Sequence, residues 1–224
     1  SGNKLIAVDG VFSMDGDTAP LAELSSCASR HQAWLMVDDA HGFGVLGKNG
    51  GGSSEHFGLD QQQLPILMAT LGKGLGTFGA FVAGSNALIE ALIQFSRSYI
   101  YTTAMPPSIA ASTRVGLRLL QTESWRRQHL LELISYFKHE AALLNLPLMK
   151  SDTAIQPLLV GNADAALALS AGLEAKGFWV SAIRPPTVPA GGARLRIMLS
   201  AAHSKEQVEQ LLQALAELMP CARL

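Results

Sequence analysis

Short apolar runs alternate with helix-spaced segments through the first third of the chain. Lys4–Asp9 (KLIAVD) reads as a buried strand, followed by a loop over Gly10–Pro20 rich in Gly and Asp. Leu21, Leu24 and Ala28 share one face of a helix over Leu21–His31. Trp34–Asp38 (WLMVD) and Leu64–Thr70 (LPILMAT) are the next buried strands, with a fourth over Phe78–Ala83. Strand, helix, strand with short links predicts an α/β sheet with helices on its faces. Ligands of such a sheet gather at the carboxyl ends of its strands.

The middle of the chain is helical in pattern, over Asn86–Phe95, Pro107–Gln121 and Ser124–Asn145. Leu92, Phe95 and the Met105 segment are open to two readings, dimer contact or core, and core is the expectation. From Ile155 the pattern becomes strand (IQPLLV), helix (Ala163–Lys176), strand (Trp179–Ile183), strand (Ala193–Leu199) and helix (Ser204–Met219). Ser204 and Gln207 form a capping-box pattern for the last helix. The change predicts two domains, residues 1–120 and a smaller α+β domain over 121–224. Because Ser1 leads almost at once into a buried strand, a piece of a longer protein is expected.

Of the 224 residues, 48% are hydrophobic and 16% charged, which builds a core and excludes disorder and coiled coil. Lys+Arg 17 against Asp+Glu 18 leaves a formal charge of −1, with nothing to recruit nucleic acid or an acidic membrane. No apolar run reaches the ~18 residues of a membrane span, and no leader pattern precedes the first strand. A soluble, cytoplasmic protein is expected, with Cys27 and Cys221 as reduced thiols.

Polar clusters sit at the expected strand ends: Ser13 with Asp15 and Asp17, Asp38-Asp39-Ala40-His41-Gly42, Thr70-Leu71-Gly72-Lys73-Gly74, and Tyr99–Thr103. A phosphate-binding loop would need glycine and Ser or Thr where Leu67 and Gly74 stand, so that reading fails. Two readings of Lys73 remain: a turn lysine, or a Schiff-base lysine of lowered pKa. Asp38 ends an apolar strand, and a partly buried carboxylate needs a cationic partner such as a protonated pyridine nitrogen. Its alternative is a helix cap, at Asp38 or Asp39. For His41 the choices are a hydrogen bond to an aromatic ligand or a structural role; with no other clustered His or Cys, no metal site is expected. Arg194 and Arg196 share one face of their strand and offer planar forks for a carboxylate, unless they are surface arginines on an edge strand. A lysine, a carboxylate for a ring nitrogen and phosphate anchors together make the set that pyridoxal 5′-phosphate requires.

GVFSMDGDTAPL (10–21), VDDAHGFGVLG (37–47), TLGKG (70–74), YIYTTAMPP (99–107) and AIRPPTVPAGGARLR (182–196) together resemble the α-oxoamine synthases, fold-type I pyridoxal-phosphate enzymes. Similar blocks run from about residue 4 to residue 203. The resemblance implies the rear part of the large cofactor-binding domain, a mostly parallel sheet with helices, followed by the small C-terminal α+β domain. It implies Lys73 as Schiff-base lysine and base, Asp38 at the pyridinium nitrogen, and His41 at the phenolic oxygen or the acyl carbonyl. Ser13 and Thr70 would be further cofactor contacts, Thr187 a substrate contact, and Arg196, ahead of Arg194, the ligand of the amino-acid carboxylate. Tyr101 and Thr102 would approach the neighbouring subunit's cofactor, which implies a homodimer with shared active sites.

The last block and AIQPLLVG (154–161) are most similar to the member that condenses L-alanine with a pimeloyl thioester, losing carbon dioxide, in biotin biosynthesis. Its relatives that join glycine to acetyl-CoA are the alternative, and a non-catalytic scaffold chain is a third. The family's first half, with the residue that stacks on the cofactor ring, has no match here. This stretch alone is therefore expected to bind cofactor weakly, with turnover left open.

Overall fold

The computed structural model describes residues 2–219. They form two compact units, one of residues up to Phe12 and Thr18–Ser124, the other of Ser13–Asp17 with Trp125 onward. The strap Ser13–Asp17, grouped by sequence with the first domain, thus belongs to the second unit.

Unit 1 is built on β1 (Leu5–Asp9), β2 (Trp34–Asp38), β3 (Ile66–Thr70) and β4 (Ala80–Gly84), in that order across a four-stranded sheet. β1, β2 and β3 are mutually parallel, and β4 returns antiparallel to β3. β3 starts two residues later than expected because Pro65 has no N–H for the ladder. Helix α1 (Leu21–Arg30) buries Leu21 and Ala28 against Leu35 and Val37, with Ala19 and Leu64 completing that core. The one-turn helix α2 (Ser53–His56) follows a glycine-rich loop, and four residues are too few to show a helical period.

Helix α3 (Asn86–Phe95) is capped by Ser85, whose side chain accepts from the Leu88 N–H. The short α4 (Arg97–Ile100) and α5 (Pro107–Thr122) follow. None of these three helices has a fully buried residue. The expectation that Leu92, Phe95 and Met105 are core is corrected here: Phe95 is 80% and Met105 43% exposed, and Leu92 is half-buried. Their periodicity marks an apolar face without saying what covers it.

Unit 2 has α6 (Trp125–Leu143), β5 (Ile155–Gly161), α7 (Ala163–Ala175), β6 (Ser181–Ile183), β7 (Ala193–Met198) and α8 (Lys205–Leu218). Its antiparallel sheet has the order β5-β7-β6, so β7 is central. Phe137, Leu158, Leu173, Leu195, Ile197 and Leu215 are its fully buried core. Ser204 and Gln207 close the expected capping box reciprocally. Cys27 is a free, half-buried thiol, while Cys221 lies outside the described residues. Among the described residues no helix is long and apolar enough to cross a membrane.

Phe137 is 0% exposed, so Phe137→Ala should cost about 3–5 kcal/mol of stability. Urea unfolding of the full protein checks this; an unchanged midpoint would contradict the ring's place in the core.

Candidate functional site

The parallel strands of unit 1 end in polar residues. Asp9 closes β1, Asp38 closes β2 and Thr70 closes β3, and the register pairs Asp9 directly with Asp38. Partners in neighbouring strands place their side chains on the same face, so two carboxylates stand side by side. Burial raises the Asp9 pKa above the usual carboxylate range; the charge of Asp38 adds to this and that of Lys73 opposes it. Lys73 is therefore within electrostatic range of the strand ends. Asp9 escapes sequence reading because an acid before Gly10 looks like an ordinary loop entry.

Lys73 stands exposed on the turn between β3 and β4, flanked by Gly72 and Gly74. The turn is closed by Thr77 N–H donating to the Leu71 carbonyl and Leu71 N–H to the Gly79 carbonyl, each at 2.8 Å. A Cβ on Gly74 would lie 2.5 Å from the Phe43 carbonyl oxygen, and one on Gly44 3.2 Å from the Gly74 carbonyl carbon. The lysine turn and the loop after β2 thus meet backbone to backbone, an approach that glycine alone permits. That loop carries the half-buried His41. Thr70 Oγ1 is buried without a hydrogen-bond partner among the described residues. Such orphans are uncommon in native proteins, and this one offers a polar ligand atom a bond.

No helix begins at Asp38 or Asp39, so neither is the N-cap residue of a following helix; Asp39 instead meets the first N–H of α2 from fourteen residues away. Asp38 Oδ1 accepts from the Ala40 N–H at 2.9 Å. Asp39, its neighbour, is 0% exposed and accepts from the N–H and the hydroxyl of Ser53, at 2.8 and 2.5 Å. Cβ atoms on Gly10, Gly42 or Gly52 would all collide with its carboxylate. Burial pushes the Asp39 pKa up to about 6, against the two hydrogen bonds from Ser53. This carboxylate pins the loop that bears Asp38 and His41 to the start of α2.

Unit 2 holds the other sequence-predicted residues except Tyr101 and Thr102. Those two, at and just after the end of α4 in unit 1, have exposed side chains. Thr187 is exposed in the loop before β7, its N–H donating to the Arg184 carbonyl at 3.1 Å. Arg194 and Arg196 lie on a central strand, which removes the edge-strand alternative. The structure also separates them. Arg194 is buried, paired with Asp15 and donating through Nε to the Gly192 carbonyl at 2.8 Å. Half-buried Arg196 donates through Nε to the Ser13 carbonyl at 2.6 Å and has no acidic partner among the described residues. Burial lowers its pKa. Among the described residues no cluster of three or more His, Cys, Asp or Glu could hold a metal.

Residues 1–215 match the family model "Aminotransferase class I and II". The 8-amino-7-oxononanoate synthase of Cellvibrio japonicus (strain Ueda107) is 62% identical over 216 residues, which are 96% of this chain and 54% of that protein. Among solved structures, the 8-amino-7-oxononanoate synthase of Francisella tularensis superposes with a TM-score of 0.86 at 34% identity, over 96% of this chain and 63% of that one. A serine palmitoyltransferase from S. paucimobilis with a bound PLP–myriocin aldimine gives a TM-score of 0.90 at 31% identity, over 96% and 55%. The chain spans about half the length of the curated relatives it matches.

Asp39 makes a pH test of the site's scaffold. Its folded pKa, about 6, stands above the ordinary 3.8, so the folded state keeps a proton that the unfolded state has lost. Relative to Asp39→Asn, wild-type stability should be highest below pH ~4 and fall by about 3 kcal/mol as pH rises through ~6. Denaturant melts from pH 4 to 7 read the difference; one that is flat with pH would contradict the raised pKa.

Proposed function

The chain belongs to the aminotransferase class I and II family, and on that premise we propose that it forms part of a cytoplasmic, homodimeric 8-amino-7-oxononanoate synthase. The whole protein condenses L-alanine with a pimeloyl thioester to 8-amino-7-oxononanoate, carbon dioxide and the free thiol. The observation that carries this reading is the convergence of Lys73, Asp38 and Thr70 at the carboxyl ends of parallel strands, in a chain 62% identical to such a synthase.

The residues fit pyridoxal 5′-phosphate. Adjacent carboxylates at Asp9 and Asp38 favour a cation such as a protonated ring nitrogen, and the orphaned Thr70 hydroxyl supplies a polar contact. Lys73 rises from a turn in which Gly72 leaves room beside it; a Cβ on Gly72 would meet nothing closer than 3.6 Å. When bound, the cofactor supplies an electron sink for negative charge at the α-carbon of the amino acid.

The remaining chemistry belongs to the chain. Lys73 Nζ would hold the cofactor and, once free, would take the α-proton of the amino acid. Asp38 would keep the proton on the ring nitrogen. His41 would hydrogen-bond the cofactor's phenolic oxygen or the acyl carbonyl, and Ser13 would be a further contact. Arg196 holds the alanine carboxylate through its fork, with Thr187 as a second substrate contact. Arg194, already paired with Asp15, has no such role. Tyr101 and Thr102 serve the site of the second subunit.

Borohydride reduction of the full-length protein with pyridoxal phosphate, followed by peptide mapping, should leave the adduct on Lys73. Lys73→Ala should lose the adduct and lower alanine-dependent thiol release by at least roughly 10³-fold. An adduct on another lysine, or turnover retained in the variant, would refute the role of Lys73. Thiol release with glycine and acetyl-CoA but not with alanine would overturn the substrate.

A further inference from the structure

The strap Ser13–Asp17 of unit 2 is tied down at three points. The Gly16 carbonyl accepts hydrogen bonds from Ser151 Oγ and Thr153 Oγ1, each at 3.0 Å. Gly16 has φ +69°, and a Cβ there would stand 2.5 Å from the Ile155 carbonyl oxygen, so glycine is needed for the approach. Asp15 pairs with Arg194 Nη1, on a side chain only 7% exposed. The Ser13 carbonyl, finally, accepts from Arg196 Nε at 2.6 Å.

Two residues apart on β7, the arginines face the same way and differ in what they have left to offer. Arg194 has an acidic partner and a backbone carbonyl; Arg196 has one nitrogen on the strap and no carboxylate among the described residues. An arginine–carboxylate bond is bidentate and sensitive to the plane of the guanidinium. Whatever fixes Nε therefore fixes the fork, and it spares the rotamer entropy that a loose side chain loses on binding.

We propose that Asp15 and Arg194 are positioning residues for Arg196: their ion pair fixes the strap so that the Ser13 carbonyl holds Nε, and the terminal nitrogens form a preset fork for the substrate's carboxylate. This rests on the reading of Arg196 as the carboxylate ligand. Deleting one partner of a buried pair leaves an uncompensated charge, so both are changed together in the main test.

The test uses the full-length protein, as Asp15→Asn/Arg194→Met, Asp15→Asn alone, and Arg196→Lys. Dissociation constants for L-alanine and for ethylamine, which lacks the carboxylate, are read from the absorbance of the cofactor-loaded protein. Deuterium exchange of amides 14–17 is read without cofactor. The double variant should bind L-alanine on the order of tenfold more weakly, with ethylamine within about twofold and faster exchange in the strap. KM for alanine should rise while kcat stays within roughly threefold. If the double variant does not fold, isosteric Asp15→Asn should show the same split between the two ligands. Unchanged alanine affinity with a loosened strap, or equal loss of both ligands, would overturn the proposal. Unchanged alanine affinity in Arg196→Lys would instead overturn the role of Arg196 itself.

Discussion

β1 and β2 run parallel and in register through Asp9 and Asp38, and Asp38 continues the ladder into β3 at Met68. Parallel strands deliver their carboxyl ends to one side of the sheet, so the loops that follow them share that side. Every candidate site residue at the strand ends of unit 1 depends on this alignment. A one-residue slip of β2 would turn Asp38 to the opposite face and bring Asp39 into its place. The apolar positions resist that slip, because Leu35 and Val37 would leave the core that they form with Leu21 and Ala28.

Asp39 secures the same alignment from the other face. It is a buried acid walled by glycines and held by Ser53, and it costs the fold a raised pKa. What it provides is a fixed path for the loop from Asp38 to the lysine turn, where Gly44 and Gly74 touch. The strap in unit 2 repeats the device with the opposite sign: a buried arginine, an acid from a loop, and a glycine that allows the close approach. In both places a buried charge lies next to the residue proposed to do the chemistry.

Strand ends were legible because an apolar run stops at a polar residue, as at Asp38 and Thr70. An α/β sheet with helices follows from those runs and the segments between them; that the sheet is mostly parallel, as observed, is what the family resemblance implies. The Asp38–Asp39 doublet could not be resolved from the chain, since alternation assigns the two to opposite faces without naming the buried one. Arg194 and Arg196 looked equivalent for a related reason: the acid that distinguishes them is 179 residues away. Four-residue α2 and α4 are too short for periodicity, and β6 shrinks to Ser181–Ile183, the stretch that pairs with β7.

Asp38 is proposed to keep a pyridine nitrogen protonated at the strand ends. The direct measurement is the ¹⁵N chemical shift of ring-labelled pyridoxal phosphate bound to the full-length protein and to Asp38→Ala. A pyridinium shift in the first that moves to the neutral-pyridine range in the second is the expected result. The same shift in both proteins would contradict it.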